Sequence, residues 1–174
     1  MLRKLLIVGL MFLASPAWAE VRIDITRGNV QPLPVAITDF QGTKGTEGQL
    51  GADISRVIAA DLERSGLFKP IDPRAFIQTA DSLAVQPRFG DWRQINAQAL
   101  VQGRIEVQTD GRLRTEFRLW DVPAEQQMVG QAYFTSPANW RRVAHIVADA
   151  IYKRLTGEDG YSTPRSSMSR SRAP

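Results

Sequence analysis

The chain has 174 residues, enough for one domain with a buried core, and no cysteine, which excludes a disulfide framework, a lipid-anchoring cysteine and a thiolate metal site. Five of its 22 Lys and Arg residues stand near the two ends, at Arg3, Lys4, Arg165, Arg170 and Arg172, so 17 basic residues face 18 acidic ones in between. A nearly neutral body lacks the basic face of a nucleic-acid-binding domain, which excludes nucleic acid as a partner.

Residues 1–19 predict an export signal. A positively charged start precedes a short apolar run at 5–14, and Ala17 and Ala19 are the small residues that signal peptidase requires for a cut before Glu20. The run is shorter than the roughly 20 residues that span a bilayer as a helix. We therefore expect a Sec-exported periplasmic protein with no stable membrane insertion after cleavage.

Residues 20–31 form an arm between the signal and the domain. Apolar and polar side chains alternate in it, as in a strand with one buried face: Val21, Ile23 and Ile25 against Arg22, Asp24 and Thr26. These residues alone leave three interpretations open, namely an edge strand of the same domain, a disordered segment, and a strand that adds to a partner's sheet.

The body, residues 32–157, begins with a strand, a helix and a second strand. PLPVAITDF (32–40) favours a strand with its prolines at the entrance, and LFKPI (67–71) favours another. The helix between them is predicted to end at Gly66. Its apolar residues recur at helical spacing: Leu50, Ile54, Val57, Ile58 and Leu62.

The positions of glycine and proline predict two connecting segments in the body. GTKGTEG, bounded by Gly42 and Gly48, lies between a strand and a helix, where phosphate-binding loops occur, but Lys44 precedes Gly45 instead of following it as in a P-loop. We interpret it as a flexible loop and keep a small periplasmic phosphate- or ligand-binding domain as the alternative function. Residues 72–97 are predicted to form a connection with a short helix near 92–96.

Residues 100–120 predict a hairpin with a three-residue loop, Thr109 to Gly111, because only that loop keeps the apolar residues on one face. The predicted pairs are Val107 with Leu113, Ile105 with Thr115, Gly103 with Phe117, and Val101 with Leu119.

The other face of the hairpin sets Glu106 against Arg114 and Arg104 against Glu116, which predicts two cross-strand ion pairs. A carboxylate paired with an arginine stays ionised, so we do not expect these glutamates to serve as general acids.

A third antiparallel strand, QQMVGQAYFTS (126–136), precedes the last helix. That helix is predicted to start with Ser136 as its cap and Pro137 at its first position, and to stop at Gly157. Its predicted buried stripe contains Trp140, Val143, Ala144, Val147, Ala150 and Ile151. The Ser-, Arg- and Pro-rich residues 158–174 are predicted to be disordered.

The element order predicts an α/β (α+β) fold: a single domain with a mixed sheet of about five strands flanked by two long helices. No catalytic, cofactor-binding or metal site emerges. His145 has no nucleophile or carboxylate motif beside it and is interpreted as a solvated helix residue, while Trp92, Trp120 and Trp140 are interpreted as packing residues. We expect no enzyme activity and no cofactor.

Several segments in order resemble the amino-terminal domains of TolB proteins of the Tol-Pal system. They are EVRIDITRG, PLPVAITDF, DLERSGLFKPID, INAQALVQGRI, FRLWDV and RRVAHIVADAIYKRLTGEDGY, which together span residues 20 to about 161. The resemblance implies a non-enzymatic adaptor that supports outer-membrane integrity and outer-membrane constriction during division.

The resemblance also implies that TolA binds the arm by strand addition. The implied contact residues are Glu20, Val21, Arg22, Ile23, Asp24, Ile25, Thr26 and Arg27. The family's main Pal contact lies in a β-propeller, and this chain carries no blade repeats. We therefore expect a truncated copy, to which Pal binding does not transfer.

Overall fold

The computed structural model describes residues 31–42, 45, 47–78 and 86–160. The predicted export signal, residues 20–30 of the arm, and residues 161–174 of the tail predicted to be disordered lie outside these ranges. In chain order, the elements are β1 (Leu33–Ile37), β2 (Gln41–Gly42), α1 (Glu47–Arg64), β3 (Phe68–Pro70), α2 (Phe89–Gln94), β4 (Ala99–Val107), β5 (Leu113–Asp121), β6 (Gln126–Thr135) and α3 (Trp140–Thr156).

The strands form one mixed sheet in the order β3-β1-β4-β5-β6. β1 runs parallel to β3 and β4, and the strands from β4 to β6 are antiparallel. The predicted mixed sheet is confirmed, with a sixth strand, because the two residues of β2 also pair with β4, at Arg104 and Ile105.

Phe40 explains why the strand is interrupted between β1 and β2. Its ring lies over Gly103 of β4, where a Cβ atom would come within 2.2 Å of the ring carbons. Its carbonyl oxygen lies against Gly51 of α1, where a Cβ atom would come within 1.7 Å. Two residues without side chains therefore let one aromatic residue join the helix to the sheet.

The predicted hairpin register between β4 and β5 is confirmed at all four predicted pairs. Gly111 adopts a φ of +80°, a left-handed conformation that residues with a side chain rarely adopt, and its amide donates to the Gln108 carbonyl at 2.9 Å. The predicted cross-strand ion pairs are wrong. Glu116 instead bonds along its own strand, to Arg114 at 2.6 Å and Arg118 at 3.7 Å, since residues two apart on a strand share a face.

The sheet carries a core on each face. The larger core, which includes Val101, Phe117 and Leu119, lies under α1 and α3. The smaller core, which includes Leu100 and Trp120, lies under α2. Both long helices therefore cover the same face, and the short α2 covers part of the opposite one.

Helix α2 spans Phe89–Gln94, so the prediction of a helix near 92–96 placed it too late. Phe89 and Trp92 stand three residues apart and are both buried against the sheet, which sets the start of the helix. Asn96 has a φ of +59°, which is incompatible with a helix at that residue.

Helix α3 begins later than predicted. Pro137 lies in a 3₁₀ turn before the helix, and Ser136 makes no side-chain hydrogen bond as a cap. The stop at Gly157 is confirmed by its left-handed φ of +82°. Trp140 and Ala150 of the predicted stripe are only partly buried, and Ala148 and Leu155 join the buried face instead.

Candidate functional site

The predicted partner-binding residues, Glu20 through Arg27, and the cleavage residues Ala17 and Ala19 lie outside the described part of the chain. The described chain meets the arm at Gln31, an exposed residue two positions before β1. β1 already has a strand on each side, β3 and β4, both formed by described residues. The arm therefore joins the domain at an inner strand whose two pairing edges are filled.

The alternative site, the loop from Gly42 to Gly48, is described only in part. Gly42 ends β2 and Gly48 lies in the first turn of α1, whereas Thr43, Lys44 and Thr46 lie outside the described residues. The first helical residue, Glu47, is buried, and its carboxylate accepts a hydrogen bond from the Val107 amide at 3.0 Å. The first residue of this helix is therefore a buried glutamate bonded to β4, and a negative charge beside the helix start disfavours a bound anion there.

A groove of about 350 Å³ lies where β1 and β3 end beneath α1. Ser55 donates to Asp39 at 2.8 Å and Arg56 bonds Asp53 at 2.6 Å. At the rim, a hydrogen bond from Arg74 lowers the pKa of the Asp72 carboxyl to about 2. These polar groups are engaged with one another, so the groove presents a mainly apolar surface, with Ile37 and Ile71 among its lining residues.

The interpretation of His145 as a solvated residue is only partly right, because its side chain is 35% exposed but also contacts a buried carboxylate. Its Nδ1 atom lies 2.5 Å from a carboxylate oxygen of Asp61, a residue of α1 that is only 2% exposed. Arg64 bonds the other oxygen of the same carboxylate at 3.2 Å. Asp61 falls between Ile58 and Leu62 on the apolar face of α1, and a lone carboxylate on such a face was the sequence signal for this contact.

The Asp61–His145 contact joins α1 to α3 across the larger core. A buried carboxylate needs hydrogen-bonding partners to remain inside a protein, and His145 and Arg64 supply them. Among the described residues, no cluster of three or more His, Cys, Asp or Glu side chains is placed to hold a metal ion. The contact therefore connects two helices and does not form a metal centre.

Two buried glutamines fix the tryptophans that the sequence assigned to packing. Gln102 accepts the Trp120 indole N–H at 3.0 Å, and Gln78 accepts the Trp92 indole N–H at 3.1 Å. Gln78 also accepts the Arg88 amide, also at 3.1 Å, and so joins the two ends of the connection around residues 79–85. The indoles thus have polar partners within the smaller core, as buried tryptophans require.

Within the described ranges, no helix has both the length and the apolar character to cross a bilayer.

Comparison with known proteins gives consistent matches. A family model described as the TolB amino-terminal domain matches residues 21–128. The Tol-Pal system protein TolB of Paramagnetospirillum magneticum is 65% identical over 146 residues, which cover 84% of this chain and 33% of that protein. The chain thus spans about a third of the length of this curated relative.

Solved structures also match this chain. TolB from Acinetobacter baumannii matches with a TM-score of 0.61 and 26% identity, over 81% of this chain and 32% of that one. The hypothetical protein CT253 from Chlamydia trachomatis matches with a TM-score of 0.53 and 12% identity, over 74% of this chain and all of that one. At such low identity, the second match shows a shared fold alone.

Proposed function

Because the chain belongs to the family of TolB amino-terminal domains, we propose that it is a non-enzymatic periplasmic adaptor of the Tol-Pal system that binds TolA through its arm. Family membership is the observation that carries this proposal. The family match begins at Val21 and so includes nearly all of the arm as well as the strands from β1 to β5. In this role the protein supports outer-membrane integrity and constriction of the outer membrane during division.

The arm binds by strand addition. Its backbone amides and carbonyls pair with an edge strand of TolA, which requires an extended segment of several residues without proline. Residues 20–27 contain no proline and alternate apolar with polar side chains from Val21 to Thr26. Val21, Ile23 and Ile25 then face the apolar side of the enlarged sheet, while Arg22, Asp24 and Thr26 face water.

The described domain supports separate roles for the two parts of the chain, in which the body forms the fold and the arm binds the partner. The larger core is formed by residues from Val35 onward, and β1 already has a pairing partner on each side. The pairings of β1 with β3 and β4 therefore do not require residues 20–30.

Substitution of the two faces of the arm tests this proposal. Replacing Val21, Ile23 and Ile25 together with serine removes the apolar contacts, and we expect TolA binding to weaken by about 100-fold or more. The matched control replaces Arg22, Asp24 and Thr26 with serine, and we expect a change of about tenfold or less, because those side chains stay in water.

Isothermal titration calorimetry with the carboxy-terminal domain of TolA measures both effects. Equal losses in the two variants would contradict strand addition with this face buried. Unchanged binding in the apolar triple variant would contradict the arm as the TolA site.

A further inference from the structure

In the described part of the chain β6 is an edge strand, and it differs from the strand at the opposite edge of the sheet. Within the described residues, β6 pairs only with β5, and its ten residues, QQMVGQAYFT, include no charge and no proline. The opposite edge strand, β3, has three residues and ends in Pro70. Proteins normally protect an edge with charges, prolines or short length, and β6 has none of these.

A groove of about 380 Å³ runs beside this edge on the face covered by α3. Val129 and Gln131 of β6 line one side, and Ala150, Lys153 and Arg154 of α3 line the other. A strand added to β6 would direct every second side chain into this groove. The groove therefore offers apolar contacts to those side chains and two cationic groups at its wall.

Arg154 limits where an added strand can begin. Its Nε donates to the Met128 carbonyl at 3.3 Å, beside the irregularity where Leu119 pairs with Val129 and Trp120 with Gln127. Met128 is the extra residue of this bulge, which bends the strand. The regular part of the edge is therefore residues 129–135, long enough for a short peptide strand.

We propose that the β6 edge is a docking site for an extended segment of another protein, with aliphatic side chains at alternate positions and a carboxylate facing Lys153 and Arg154. Lys153 bonds Asp159 at 2.8 Å, and both side chains of that pair are 65% exposed. An ion pair so exposed contributes little to stability and is readily exchanged for a partner's carboxylate.

A second copy of this chain fits the edge less well. Two β6 strands paired about a two-fold axis would bring Lys153 and Arg154 of both copies to one face, and β6 has no carboxylate to offset them. The site lies on the described domain, so it does not depend on the function of the arm.

A synthetic peptide of alternating valine and threonine with a glutamate near its centre serves as the probe, labelled for fluorescence anisotropy. We expect saturable binding to the full chain, and binding at least about tenfold weaker for a peptide with lysine in place of the glutamate. A peptide with proline in place of the threonines should not bind, because proline cannot donate the main-chain hydrogen bonds.

Three variants locate the binding. Gln131→Glu places a carboxylate in the groove, where it repels the glutamate of the acidic peptide, and should weaken binding by about tenfold or more. Gln127→Glu, exposed on the same strand but beyond the bulge, should leave binding unchanged. Lys153→Glu should weaken binding of the acidic peptide and strengthen binding of the lysine peptide. Circular dichroism establishes that each variant is folded.

Three results would overturn the proposal. The first is no saturable binding of the acidic peptide, or binding that Gln131→Glu leaves intact. The second is a dimer of the chain, detected by sedimentation, that the acidic peptide dissociates, which would assign the edge to a second copy. The third is peptide binding seen only after deletion of residues 20–31, which would assign the edge to the chain's own arm.

Discussion

At the scale of single residues, the hydroxyl of Thr115 stands out. It is a buried side-chain oxygen with no hydrogen-bond partner in the described part of the chain. Thr115 lies on β5 between Ile105 and Tyr133 on the neighbouring strands, on the face of the larger core. A buried hydroxyl without a partner costs free energy that a methyl group of the same shape does not.

We therefore expect Thr115→Val to leave the free energy of unfolding unchanged or raise it, by up to about 2 kcal/mol. Urea denaturation followed by tryptophan fluorescence measures the change. Thr115→Ala is the control, since it also removes the hydroxyl but leaves a cavity and should lower stability. A loss of more than about 1 kcal/mol in Thr115→Val would show that the hydroxyl has a stabilising partner.

Asp61 tests the contact between α1 and α3. Replacing it with alanine removes hydrogen bonds from His145 and Arg64, and we expect the free energy of unfolding to fall by about 1–3 kcal/mol. The control is Asp53→Ala on the same helix, whose partner Arg56 is 70% exposed and whose loss should cost about 0.5 kcal/mol or less. Chemical denaturation at neutral pH compares the two, and equal losses would contradict a specific role for Asp61.

At the scale of secondary-structure elements, two glycines of α1 separate helix propensity from close packing. A Cβ atom at Gly51 would lie 1.7 Å from the Phe40 carbonyl oxygen, whereas a Cβ at Gly48 would have nothing within 4 Å. Gly51→Ala should lower the free energy of unfolding by about 2 kcal/mol or more, because backbone must move. Gly48→Ala should raise it by up to about 1 kcal/mol, because alanine favours the helix.

Thermal unfolding by circular dichroism measures both variants. A higher thermal stability of Gly51→Ala would show that α1 does not pack closely on Phe40. The packing of Phe40 would then not account for the interruption between β1 and β2.

The sequence could predict elements wherever one local rule decided the outcome. Only one hairpin loop kept Val107 and Leu113 on the same face, so the register of β4 and β5 was predictable. β2 was not, because its two residues follow Phe40, whose contacts with Gly51 and Gly103 join segments distant in the sequence. α2 was misplaced because Gly90 and Asp91 separate Phe89 from Trp92 and obscure the apolar spacing.

The candidate sites were predictable to a smaller extent. The contact of Asp61 with His145 joins residues 84 positions apart, so the lone carboxylate on the apolar face of α1 indicates a buried partner but not which residue supplies it. The partner-binding residues of the arm lie outside the described residues, so their assignment stays a prediction. The proposed docking site at β6 could not be predicted, because a sequence does not show which strand lies at the edge of the sheet.

At the scale of the whole molecule, the proposals assign partner contact to two separate strand-pairing segments. The arm joins the sheet at β1, an inner strand, and β6 lies at the far edge beyond β4 and β5. With strands about 4.8 Å apart, β1, where the described chain meets the arm, lies roughly 15 Å from β6 across the sheet. We therefore expect variants in one segment to leave binding at the other unchanged.

The central claim, that the arm is the TolA site and the body folds without it, is tested most directly by calorimetric titration of the carboxy-terminal domain of TolA into the chain lacking residues 20–31. We predict that binding falls by at least about 100-fold while the midpoint of thermal unfolding changes by less than about 2 °C. If the deletion variant is folded and binds TolA within a few-fold of the full chain, the arm is not the TolA site.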